Sequence, residues 1–94
     1  MGEWIKGIKG EHITITNEAR SHHTIGVHEW VTYIIPPRPA KWKPITNLKP
    51  GESHTHAWDG DIKLDTDGID YVGASDVPGG VDINFQNVWV TLRH

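Results

Sequence analysis

The stretch His12-Ile13-Thr14-Ile15-Thr16-Asn17 alternates apolar and polar residues one by one. An extended chain therefore sets Ile13 and Ile15 on one side and His12, Thr14 and Thr16 on the other, which is the pattern of a strand with one wet face. A helix would scatter the same residues around its circumference. The alternation recurs outward from this stretch in both directions, Gly or Pro punctuates it every eight to twelve residues, and no segment carries apolar residues at helical spacing over ten or more positions. The pattern predicts strands at Trp4–Ile8, His12–Asn17, His23–Ile35, Ile45–Asn47, His54–Trp58, Asp61–Leu64, Gly68–Val72 and Val81–Leu92. That is an all-β chain with no substantial helix: a small antiparallel β-sandwich, jelly-roll or Ig-like, of about seven or eight short strands.

Two places depart from simple alternation. Ile25 and Val27 share a face, but Trp30 has the other parity, which calls for a bulge near Glu29 or a face exposed to a second layer. Val81, Ile83 and Phe85 likewise differ in parity from Val88, Val90 and Leu92, and a bulge at Gln86-Asn87 reconciles them within one strand. The turns are easier to place. Lys49-Pro50-Gly51-Glu52 has Pro then Gly at its central positions and predicts a type II turn, and Asp67-Gly68 is a hairpin dipeptide. Pro36-Pro37-Arg38-Pro39 cannot donate ladder hydrogen bonds at three of its positions, so it predicts edge or loop structure that ends the long strand and carries Trp42 outward.

Size and composition set bounds on function. Ninety-four residues with no linker-like stretch make residues 1–94 a single domain. The absence of cysteine removes disulfides, thiolate metal sites and thiol nucleophiles. No apolar run reaches the roughly 18 to 20 residues of a membrane span, and Met1-Gly2-Glu3-Trp4 lacks the apolar region of a signal peptide, so the chain reads as soluble, and as secreted if a signal has been removed. A net charge of −3, with acids concentrated from Asp59 to Asp76, offers no broad basic field for nucleic acid. No Gly-rich phosphate loop leads into a helix and no Gly-x-Ser-x-Gly elbow is present, so the expectation is a protein without catalysis.

Five Trp and seven His are more than a small core needs. In Ser53-His54-Thr55-His56-Ala57-Trp58, alternate residues share a face, so His54 and His56 stand about 7 Å apart and form half of a metal site. His22, His23 or His28, or the acids after Trp58, are the candidate remaining ligands, and a nitrogen and oxygen shell suits Zn, Cu, Ni or Fe. Histidine pairs on polar strand faces are also common without metal. The same face carries Trp58, which either packs inward with its ring nitrogen hydrogen-bonded or, flanked by His and Asp, offers a stacking platform for a sugar ring or an anchor at a lipid headgroup boundary. Trp42 lies between Lys41 and Lys43, neither of which buries readily, so a Lys-Trp-Lys tip suits contact with an anionic or zwitterionic membrane surface; a Trp folded back over an apolar edge is the alternative. The carboxylates from Asp59 to Asp70 suggest Ca, but their spacing fits no EF-hand: aligning Gly68 with that loop's glycine puts Lys63 at the first acidic position.

The run Ile13-x-Ile15-x-Asn17, followed by Ile25-x-Val27-x-x-Trp30 and by Ile45 to Leu48-Lys49-Pro50-Gly51, resembles the opening of small β-sandwich cytolysins of the actinoporin and aegerolysin type, and of compact bacterial insecticidal proteins. The resemblance covers roughly residues 4 to 58. It implies lipid binding through aromatic residues, with pore formation in several members, and would assign Trp42 and Trp58 to lipid contact. A likeness to superoxide-reductase-type iron proteins through His22 and His28 fails for want of a cysteine, and the cupin motif matches only His54-x-His56 without its glutamate.

Three readings follow. The first is a non-enzymatic, lectin-like or toxin-like domain that binds carbohydrate or a membrane lipid surface through Trp30, Trp42 and Trp58 with Lys41 and Lys43. The second is a metal-binding module at His54 and His56. The third is a homo-oligomeric structural subunit, joined through exposed edge strands.

Overall fold

The computed structural model describes residues 10–72 and 80–94. Eight strands run β1 (Glu11–Asn17), β2 (Ile25–Tyr33), β3 (Arg38–Leu48), β4 (Ser53–Trp58), β5 (Ile62–Thr66), β6 (Ile69–Val72), β7 (Val81–Phe85) and β8 (Val88–Arg93). They form two antiparallel four-stranded sheets, one in the order β4-β1-β8-β7 and the other β3-β2-β5-β6. The fold is the all-β sandwich that the alternation predicts. The expected strand Trp4–Ile8 lies outside the described residues.

Ile13 and Ile15 of β1 are completely buried, as are Ile25 and Val27 of β2, Ile62 and Leu64 of β5, and Val88, Val90 and Leu92 of β8. Each such side chain contributes about 1.5–3 kcal/mol through its removal from water. On the outer face of the first sheet, the opposite parity makes a hydroxyl ladder, Thr14 to Thr55 at 2.7 Å and Thr16 to Ser53 at 2.8 Å. Among the polar side chains at the inner surface, Asn17 links three segments. Asn17, fully buried, donates its amide to the carbonyls of His23 (3.0 Å) and Leu48 (2.9 Å), joining the end of β1 to the segment before β2 and to the end of β3.

The turns match their residues. Glu52 N donates to Lys49 O at 2.9 Å with Gly51 at φ 90, and Asp67 (φ 50) with Gly68 (φ 74) closes the β5–β6 hairpin. Three expectations are corrected. Gln86-Asn87 is no bulge: both residues have positive φ (47 and 60) and form a two-residue hairpin turn, so Val81–Leu92 is two paired strands, and the change of parity is the turn itself. Alternation in β2 continues through Glu29, which faces inward, so Trp30 simply points outward; the irregularities of the β2–β3 pairing lie between Val27 and His28, where β3 has Ile45 as an extra residue, and between Val31 and Tyr33. Finally, β3 begins at Arg38 rather than near Ile45, because among the described residues it is an edge strand, with one flank unpaired, where Pro39 and Pro44 need not donate.

Candidate functional site

Among the described residues β2 and β3 are the longest strands, nine and eleven residues, and no other described element covers the apolar side chains at their shared turn. Ile34 is 81% exposed and Ile35 is 93% exposed. Pro36 and Pro37 complete this tip, and both are exposed. Directly behind it, the Arg38 guanidinium lies 5.6 Å from the ring centre of Tyr33, and a cleft of about 300 Å³ is lined by Tyr33, Arg38, Pro39, Ala40 and Lys41. Further down the hairpin, Trp30 is paired in register with Trp42 on the outer face, and the rings meet edge to face at 5.1 Å. Lys63 Nζ sits 5.4 Å from the Trp42 ring centre. Lys41 and Lys43 flank Trp42 and are exposed.

Beyond the buried Glu29, the electrostatics of this hairpin are one-signed. Arg38, Lys41, Lys43 and Lys49 are the only charged residues between Glu29 and Glu52, while all twelve acidic residues of the chain fall elsewhere. The protein is thus acidic as a whole but basic along one protruding ribbon. At the ribbon's base Glu29, 7% exposed, accepts hydrogen bonds from the amides of Asp59 (2.7 Å) and Gly60 (3.1 Å), and the Trp30 amide donates to Asp61 O at 2.8 Å. A preorganised backbone therefore carries the exposed tip.

Of the proposed binding residues, Trp30, Trp42, Lys41 and Lys43 come together on this hairpin. Trp42 is partly buried against Trp30 rather than fully exposed. Trp58 does not join them: it is completely buried, and its indole N–H donates to Ile13 O at 3.2 Å, so it is a core residue and no platform for a ligand. Its parity places it between the sheets, where its size fills the core. Ile34, Ile35, Tyr33 and Arg38 were not singled out by the alternation pattern; the signal was the unbroken apolar run Tyr33-Ile34-Ile35 running into two prolines, where a strand with one wet face should have placed a polar residue.

The histidines do not assemble. His54 and His56 project inward from β4 and stack at 5.9 Å with ring planes 25° apart. Nearly parallel rings direct their in-plane nitrogens side by side instead of toward one point. His56 Nε2 instead faces Glu29 Oε2 at 3.6 Å. His28, on the outer face of the other sheet, has Nδ1 3.7 Å from Asp65, and His23 lies 3.2 Å from Asp67. His22 is exposed and packs its edge toward Trp89, 6.1 Å between ring centres. Among the described residues, no three His, Asp or Glu side chains are placed to hold one metal ion, calcium included. The acidic stretch is spent separately, Asp65 and Asp67 on these histidines and Asp70 on Lys63 at 3.7 Å.

No helix among the described residues is long and apolar enough to cross a membrane. No family model matches the chain, and neither the curated proteins nor the solved structures give a significant match.

Proposed function

We propose that this domain is a non-enzymatic binding module that attaches to anionic membrane surfaces through the β2–β3 hairpin. The observation that carries the reading is the exposure of Ile34 and Ile35 at the tip of a ribbon whose exposed charged side chains are all basic. The physical division of labour follows the depth of the bilayer. Two isoleucines and two prolines suit the acyl boundary, Tyr33 and the Trp30–Trp42 pair suit the interfacial layer that aromatic rings favour, and Arg38, Lys41 and Lys43 suit lipid phosphates. Burying each isoleucine supplies about 1.5–3 kcal/mol, and each cation near an anionic leaflet about 1 kcal/mol, which adds up to reversible attachment.

The other readings draw less support. An oligomer through the β3 edge would need ladder donors that Pro39 and Pro44 lack, and exposed lysines on an edge oppose strand addition. A metal module would need converging nitrogens, and the His54 and His56 rings stack instead.

The test is flotation with vesicles of phosphatidylcholine alone and of phosphatidylcholine with phosphatidylserine. The expected result is binding to the anionic vesicles that is lost in the Ile34→Ser/Ile35→Ser variant, whose folding should be intact because neither side chain is packed. Absence of wild-type binding to both vesicles, or equal binding by the variant, overturns the proposal.

A further inference from the structure

The opposite sheet carries a second concave site, on its outer face, with a different chemistry. A cleft of about 250 Å³ is floored by β8 and β7 and walled by the segment that follows β1. Trp89 is half-buried at its centre and lies directly across from Asn84 in the strand register, with Thr91 across from Asp82. Both pairs belong to the outward parity, since Val88, Val90, Leu92 and Ile83 between them face the core. The wall is fixed by backbone bonds. Ser21 Oγ donates to Trp89 O (3.1 Å) and accepts from Trp89 N (2.8 Å), Glu18 N donates to the same carbonyl at 2.9 Å, and His22 N donates to Asn87 O at 2.9 Å. Ser21 is itself buried, so this stitching holds the wall in place before any ligand arrives.

The charges in the cleft cancel. Glu18 pairs with Arg20 at 3.2 Å and Asp82 Oδ1 with Arg93 Nη2 at 2.6 Å, so two carboxylates meet two guanidiniums. That balance gives a phosphate or nucleic-acid backbone no net attraction, in contrast to the basic hairpin. What remains is one flat aromatic surface bordered by the polar groups of Asp82, Asn84 and Arg93, in a volume below the roughly 300–1,000 Å³ of sites for drug-sized ligands. We infer that the cleft around Trp89 binds a neutral monosaccharide ring. The apolar C–H face of a pyranose packs on the indole, while its neighbouring hydroxyls donate to Asp82 and Asn84 and accept from Arg93 and Asn84. Arg20 lies over the indole, 4.8 Å from its ring centre, on a side chain that is 63% exposed and, apart from that contact, is tethered among the described residues only to Glu18; it swings aside as the sugar takes its place on the ring. This inference does not rest on the membrane reading, and its test involves no lipid.

The test is a ¹H–¹⁵N NMR titration with the methyl glycosides of glucose, galactose, mannose and N-acetylglucosamine, with inorganic phosphate as a charged control. At least one glycoside is expected to produce saturable shifts of the Trp89 indole and Asn84 side-chain amide signals, with a Kd on the order of 1 mM. Binding is expected to weaken at least about tenfold in Asn84→Ala and in Trp89→Ala. Asn84 is exposed, so its variant reports on binding even if Trp89→Ala fails to fold. No saturable shift at these signals with any of the four glycosides, a response to phosphate alone, or affinity unchanged in Asn84→Ala overturns the assignment.

Discussion

Glu29 reaches from β2 to the connection between β4 and β5, where its Oε1 accepts the amide of Asp59 at 2.7 Å and so ties one sheet to the other. The same oxygen takes the Gly60 amide at 3.1 Å, and Oε2 faces His56 Nε2 at 3.6 Å. A carboxylate at an inward position of a strand would be costly without such partners. Here it bonds the connection that runs from one sheet to the other, at the base of the β2–β3 ribbon.

Removing that carboxylate should destabilise the domain even though no apolar contact is lost. Glu29→Ala leaves two backbone amides without an acceptor and is expected to cost about 1–3 kcal/mol in urea unfolding. Glu29→Gln keeps one carbonyl oxygen in reach of both amides and should cost less. Equal losses in the two variants would show that the charge, rather than the acceptor, matters at this position.

Trp58 should behave as core and as nothing else. Trp58→Ala is expected to cost about 3–5 kcal/mol, a large part of the stability of any small domain. Trp58→Phe fills much of the volume but leaves Ile13 O without its 3.2 Å donor, and should fall between Ala and wild type. The folded Phe variant should bind vesicles as wild type does. Reduced binding by a fully folded Trp58→Phe protein would reopen a direct role for the ring.

Which features could be read from the residues, and which could not, follows the distance over which each is decided. His12–Asn17, Lys49–Glu52 and Asp67-Gly68 are local patterns, and each forms the strand or turn its residues dictate. Gln86-Asn87 is equally local but lacks glycine, and a hairpin built on two non-glycine residues with positive φ carries a weak signal in its residues alone. Glu29 and Trp58 are different. Whether an inward parity is tolerable for a carboxylate depends on amides 30 and 31 positions away, and whether a His-x-His-x-Trp face meets water or a second sheet depends on how the sheets stack. The same holds for the candidate sites. The Lys-Trp-Lys grouping was legible, but Ile34 and Ile35 became a surface only because β3 pairs far enough to turn Pro36-Pro37 into a hairpin tip, and Trp89 acquired its walls from a segment 68 residues away in sequence.

The membrane reading makes a salt-dependent claim that separates its two parts. Electrostatic attraction by Arg38, Lys41 and Lys43 is screened as the Debye length falls from about 10 Å at 0.1 M to about 3 Å at 1 M salt, whereas burial of Ile34 and Ile35 is not. Binding to phosphatidylserine-containing vesicles should therefore weaken with salt toward a finite remainder. Lys41→Ala/Lys43→Ala is expected to lose about 2 kcal/mol at low salt, roughly thirtyfold, and to lose little at high salt. A variant equally weakened at both salt concentrations would point to a packing role for the lysine stems.

Two glycines should fail for different reasons, and a double-mutant cycle tells them apart. Gly51 sits at φ 90 with only Ala19 Cβ, 4.0 Å away, near an added methyl group, so Gly51→Ala carries a backbone cost of about 1–2 kcal/mol with no collision. At Gly60 a methyl group would collide with the Trp30 carbonyl oxygen, and relief requires the β4–β5 connection to move off β2. That movement also lengthens the two bonds from Asp59 and Gly60 to Glu29. Gly60→Ala should therefore cost about 2–4 kcal/mol, overpacking together with the lost acceptor. Because part of that loss is already incurred in Glu29→Ala, the Gly60→Ala/Glu29→Ala pair should cost less than the sum of its singles, while Gly51→Ala, which shares no partner with Glu29, should add to it. Urea unfolding of the three single and two paired variants measures the coupling directly, and strict additivity at Gly60 would mean that the carboxylate and the close backbone approach stabilise the hairpin base independently.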